Sequence, residues 1–184
     1  MACENYALKG LAKTCDANVG GIKEVYIAVA EDVTAITGDY ISGTTANTIN
    51  EMEIVTGISM STGKKFHKYY FRKNTGSMTK TLNVTDEGGN YISTELSLRF
   101  SRMETPKRVE MRALSLNDMV VIVRDANDQY WLLGTPDDPV VASAGGGETG
   151  TNREDSNAYT ITLSSETNYW PLPVDSSIIS ELVA

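Results

Sequence analysis

Histidine is almost absent from this chain: His67 is the only one. It lies in an aromatic and basic stretch, and no Gly-x-Ser-x-Gly or cysteine-centred signature supplies a nucleophile for it to activate. His67 therefore reads as a surface histidine and the chain as a non-enzyme. Cysteine is scarce as well. Cys3 and Cys15 match no common zinc spacing and have no histidine nearby. They read as free thiols of a reducing cytoplasm, with a disulfide closing the short loop between them as the alternative. Long hydrophobic runs are missing: no stretch approaches the roughly 18 to 20 apolar residues of a membrane span. Residues 1–6 lack the basic region and apolar run of a signal peptide, so neither secretion by that route nor a membrane partner is expected. Positive charge is in deficit too. Sixteen lysines and arginines against 24 acidic residues give a formal charge of −8, which argues against a surface that neutralises many phosphates. An acidic surface along which nucleic acid slides without sticking is compatible with that balance.

The stretches that resemble chemical motifs fail on inspection. Gly145-Gly146-Gly147 is followed by neither Gly-Lys-Ser/Thr nor a helix, so the amide cradle of a phosphate loop is missing. The acidic clusters at 125–128 and 136–139 lack the alternating ligands and terminal Glu of a calcium loop, and turn formation explains them better. Aromatic and basic residues alternate from Phe66 to Lys73, a pattern that can hold single-stranded nucleic acid. A single such strand in an acidic chain outweighs little, and it reads as a decorated strand. Asn83-Val84-Thr85 matches a glycosylation acceptor, which has no meaning without a secretion signal. No cofactor and no metal is expected.

What is present is an ordinary globular composition, 41% hydrophobic and 22% charged, on a chain of single-domain length, 1–184. The pattern is mainly that of strands. Val25, Ile27 and Val29 alternate with Tyr26 and Ala28. A second short strand runs through Met52 to Val55. Thr79–Val84, the turn residues 86–90 and the alternation of Ile92, Thr94, Leu96, Leu98 and Phe100 predict a long antiparallel hairpin with one apolar face. That face must cover a core or a neighbouring chain. One helix is predicted from about Pro106 to Asn117, capped by Thr105, with Val109, Ala113, Leu114 and Leu116 as its apolar stripe. Residues 119–123 form a continuous apolar run, the mark of a strand covered on both faces, and turn through 125–128 into Tyr130–Leu133. Residues 134–156 are expected as a long flexible loop. Tyr159, Ile161 and Leu163 mark a last clear strand, residues 169–173 an extended connection, and Ser176 to Val183 a short helix. Residues 1–22 are left as an N-terminal arm.

This order of elements resembles the tail tube proteins of long-tailed bacteriophages. The local resemblance is best from Met103 to Leu163, where 120–123, 130–134 and 155–163 are similar to tail proteins of phages infecting gut Bacteroidales. The resemblance implies a β-sandwich or distorted barrel with one flanking helix. It implies homo-hexameric rings whose inner strands join into a barrel, stacked into a tube that conducts DNA in the virion and is assembled in the host cytoplasm. Partners would be other copies, other tail or connector proteins, and DNA passing without specific binding. On this view Ile92, Leu96, Leu98 and Phe100 are candidates for the subunit interface and Glu95 for a lumen-facing position. Two alternatives stay open: a head-to-tail connector or tail ring protein, and a carbohydrate-binding β-sandwich using Tyr130, Trp131 or Trp170 as stacking platforms.

Overall fold

A computed structural model describes residues 10–13, 15–41 and 48–184. Successive side chains of a strand point to opposite faces, and the strand β1 (Ile22–Val29) uses both. Val25 and Ile27 enter one apolar cluster, Tyr26 and Ala28 another. Its neighbour β7 (Met119–Asp125) does the same, with Met119, Val121 and Val123 on one side and Val120 and Ile122 on the other. The uninterrupted apolar run at 119–123 thus belongs, as expected, to a strand covered on both faces.

Around this pair is built a seven-stranded sheet. It comprises β1, β7, β2 (Val33–Tyr40), β3 (Met52–Met60), β4 (His67–Tyr69), β8 (Tyr130–Leu133) and β11 (Leu172–Val174), in the order β2-β3-β11-β8-β7-β1-β4. Only the three residues Ala30–Asp32 link β1 to β2, although four strands lie between them in the sheet. So short a link forces the sheet to curl into a half-barrel. The C-terminal helix α2 (Ser176–Leu182), capped by the Asp175 carboxylate accepting from the Ser177 amide at 2.8 Å, contributes Ile179 and Leu182 to the core inside the curl. The C-terminus then ties the curl near β4: Phe66 donates to the Leu182 carbonyl and Ala184 to the Phe66 carbonyl.

The second sheet has four strands, β5 (Ser77–Val84), β6 (Asn90–Ser101), β9 (Val141–Glu148) and β10 (Ala158–Thr167), ordered β5-β6-β10-β9 and antiparallel throughout. It packs its apolar face on the half-barrel, giving a mainly β, sandwich-like fold. The predicted hairpin is β5–β6. Its apolar residues Leu96, Leu98 and Phe100 lie in the inter-sheet core with Val121, Val123, Ile161 and Leu163, and Ile92 is buried on the same face.

Four expectations are corrected. Residues 134–156 are not one flexible loop: Gly134 turns the chain with φ +71°, Val140 bridges to Met119, and 141–148 form β9 along the edge of β10. The backbone of β10 supplies the partner that a Gly-rich segment cannot specify by side chains. The helix α1 (Thr105–Leu116) begins at Thr105 rather than being capped by it. Its buried residue is Leu114, with Met111 packed on the core, while Val109 and Leu116 are 54% and 73% exposed. The aromatic and basic stretch 66–73 holds only the three-residue strand β4, because Phe66 is committed to the core and to the C-terminus. Residues 169–173, read as a connection, include the start of β11, where Leu172–Val174 pair with β8.

Candidate assembly edges

The four-stranded sheet places its side chains in two sets. Tyr159, Ile161, Leu163, Ser165 and Thr167 of β10 stand opposite Phe100, Leu98, Leu96, Thr94 and Ile92 of β6 and face inward. The intervening residues face outward: Ser93, Glu95, Ser97, Arg99 and Ser101 on β6, and Thr160, Thr162, Ser164 and Glu166 on β10. Ser77, Thr79, Thr81 and Asn83 of β5 extend that surface on one side, with Ala144, Gly146 and Glu148 of β9 on the other. The outer face is therefore a lawn of short hydroxyls carrying three carboxylates, Glu95, Glu148 and Glu166, and one guanidinium. Arg99 is already paired with Glu148 at 2.8 Å.

These positions decide the residues singled out from sequence. Ile92, Leu96, Leu98 and Phe100 are at most 7% exposed within the chain itself. They are core residues, and the interface assigned to them is withdrawn, because the half-barrel covers the face that a neighbouring copy was expected to cover. Glu95 is exposed on the outer face, opposite Thr79 and Ser164. His67 is exposed on β4. Lys68, beside it, is engaged by Glu24, so the basic stretch is not a free phosphate binder. Cys15 is an exposed free thiol, whereas Cys3 lies outside the described residues.

The acidic turn 125–128 is structural. Asp125 accepts from the Asn127 and Gln129 amides and from the Trp131 indole at 3.0 Å. Lys80 of β5 caps the other side of Trp131, its ammonium 3.6 Å from the ring centroid. Burial pulls that ammonium below the ordinary lysine value, and the Asp125 carboxylate pulls it partly back. Trp131 is thus held by Asp125 at its ring edge and by Lys80 over one ring face. A charged cluster sits where β1, β4 and β7 meet: Glu24 accepts from Lys68, from Tyr26 at 2.7 Å and from Arg124 at 3.0 Å, and Arg124 also reaches Asp128. Burial works to raise the Glu24 carboxyl, but the hydrogen bonds from Lys68, Tyr26 and Arg124 outweigh it and hold the pKa down to about 2. Among the described residues no group of three His, Cys, Asp or Glu stands close enough to hold a metal.

The feature that sequence reading missed is the pair of edges. β5 and β9 each run eight residues, bound the same sheet, and have no strand beyond them among the described residues. Four strands that alternate in direction leave the two edges running opposite ways. The β9 edge of one copy can therefore receive the β5 edge of an unflipped second copy as another antiparallel pair. Exposed edges of this length are templates for association that natural sheets otherwise blunt. Alternating hydrophobicity revealed β6 and β10, but nothing in Val-Ala-Ser-Ala-Gly-Gly-Gly-Glu announced β9. No protein-family model, curated protein or solved structure matches this chain.

Proposed function

We propose that this chain is a structural virion protein that assembles with copies of itself into rings and stacks them into a phage tail tube through which DNA passes. The observation that carries the reading is the four-stranded sheet with two free edges of equal length and opposite direction. Joined edge to edge around a closing rotation, such sheets make a continuous barrel with no edges left.

Register supports it. Within one copy Ser77 is level with Ser97, Thr162 and Ala144 in turn, so full overlap with the next copy, Ser77 opposite Glu148, displaces each copy by four residues. Four residues of rise across four strand spacings is a tilt of about 35°, at the lower end of the range that closes β-barrels. From Glu148 to Ala144 the same overlap matches faces, since Ser77 and Glu148 both point outward; beyond Ala144 a register shift in β9 offsets the alternation. Six copies would make a wall of about 24 strands, about 140 Å around at that tilt and about 45 Å across. The lumen would then be lined by the hydroxyl lawn and its net acidic charge, which repels phosphates and lets DNA slide. Glu95 and Glu166 would be lumen residues.

Negative-stain electron microscopy over a range of protein concentration tests this. Rings or tubes with a central hole are the expected result, and axial stacking separates a tube from a connector that stops at one ring. A monomer persisting at every concentration would sink the reading.

A further inference from the structure

A groove of about 540 Å³ runs between α1 and β9, walled by Met111, Arg112 and Ser115 of the helix and floored by residues 142–147. Its floor is bare because inward-facing Gly145 and Gly147 have no side chains. The two glycines are not equivalent. A Cβ at Gly147 would stand 2.8 Å from the Tyr159 ring and 2.9 Å from the Met103 methyl, so the chain's own packing requires that glycine. A Cβ at Gly145 would meet nothing closer than the Thr160 carbonyl at 3.4 Å and the Met111 methyl at 3.9 Å, ordinary contacts, on backbone outside the left-handed region. Among the described residues nothing requires position 145 to be bare.

At the opposite edge of the same sheet, the inward-facing row of β5 continues past its cover. Met78 and Lys80 are partly buried, whereas Leu82 is 52% and Val84 69% exposed. Leu82 stands opposite Ile92 and so shares the inner face. One edge thus carries apolar side chains without a seat, and the other a seat without side chains.

We infer that the groove between α1 and β9 receives Leu82 of the adjacent copy. The inference rests on the edge-to-edge ring proposed above and names its contact. In the fully overlapped register Leu82 falls opposite Ser143, the residue at the register shift of β9, which lines the groove diagonally beside Gly145. Met111 and the stem of Arg112 close over it from the helix. The seam is then held by a backbone ladder and by an apolar side chain in a socket, which fixes register where a flat Gly-rich edge alone would let it slip.

Cross-linking tests the contact apart from the ring. Leu82→Cys and Ser143→Cys are placed on separate chains whose Cys3 and Cys15 are changed to Ser, and the two are mixed and oxidised. A disulfide-linked heterodimer is expected, and Leu82→Cys/Ser143→Cys on one chain should give a ladder of higher oligomers. Within a chain these positions lie three strand spacings apart and are offset by more than four residues along the strands, about 20 Å in all, beyond the reach of a disulfide. In parallel, Gly145→Val should leave a folded monomer and abolish rings, whereas Gly146→Val, on the outer face with only Thr160 Oγ1 at 3.9 Å, should leave rings intact. Rings from Gly145→Val equal to those of the unaltered chain, or rings without a cross-link, would overturn the socket and leave the ring reading standing. Absence of rings from the unaltered chain would sink both. Should Gly145→Val fail to fold, the cross-link alone decides.

Discussion

Glu24 shows how much one carboxylate holds in this fold. It joins β1 to β4 through Lys68 and to β7 through Arg124, with its side chain four-fifths buried. Glu24→Gln leaves two cations without their counter-charge. Since Lys68 and Arg124 retain partial access to water, the loss should be about 1–2 kcal/mol by urea denaturation at neutral pH. The carboxyl titrates at about 2 in the folded chain against 4.5 when free. Its contribution is therefore complete above pH 4.5 and fades as the pH falls towards 2, so the gap between the parent and Glu24→Gln should close over that interval. Leu96 makes a different point. It is fully buried, so Leu96→Ala should cost about 2–5 kcal/mol of unfolding free energy in the monomer. Were Leu96 an interface residue, the change would instead weaken association and spare monomer stability.

At the level of elements, β9 is the informative strand. Its pairing with β10 needs Gly147, because the Tyr159 ring and the Met103 methyl occupy the space of a side chain. Gly147→Ala should destabilise by about 1–3 kcal/mol, whereas Gly146→Ala, which meets only Thr160 Oγ1 at 3.9 Å, should be neutral or slightly stabilising; thermal melts of the two side by side check this. The contrast also explains what could be read from sequence. Strands β6, β7 and β10 were legible because burial writes a period of two, or an unbroken apolar run, into the residues that meet a core. β9 writes nothing, since its edge position and bare inner face impose no hydrophobic pattern, and its existence depends on the backbone of β10. Helix α1 was legible as a helix from Pro106 and its propensities. Its stripe was misjudged because the helix touches the core by one narrow row, Leu114 and Met111, so the apolar residues at 109 and 116 fall on the solvent side. β11 hid behind Pro173, a residue that ordinarily marks a sheet's edge. The candidate site was illegible for a related reason: an edge is defined by which strand is absent beside it, and that is a property of topology, not of any segment.

For the molecule as a whole, the two faces of the four-stranded sheet divide the work. The inner face makes the monomer stable, and the outer face, with Glu95 and Glu166 among short hydroxyls, is left to meet whatever fills the bore of the proposed tube. Reversing those charges separates the roles. Glu95→Lys combined with Glu166→Lys should still form rings by electron microscopy, since both side chains stand on the outer face of the two central strands, away from the core and from the two free edges. The rings should retain duplex DNA at low salt and release it as salt rises, while unaltered rings retain none. Lysine rings that ignore DNA at every salt concentration would show that this face does not line the passage.

The count of strands in that sheet also has a vectorial meaning. An even number lets each copy join the next by rotation alone, with no copy turned over, so every subunit in the proposed ring points the same way along the axis. Such a ring has a head and a tail that differ chemically, and a stack of them is a one-way object. Anything that initiates the stack at one end has therefore already chosen which end is left to meet the other terminus of the tube.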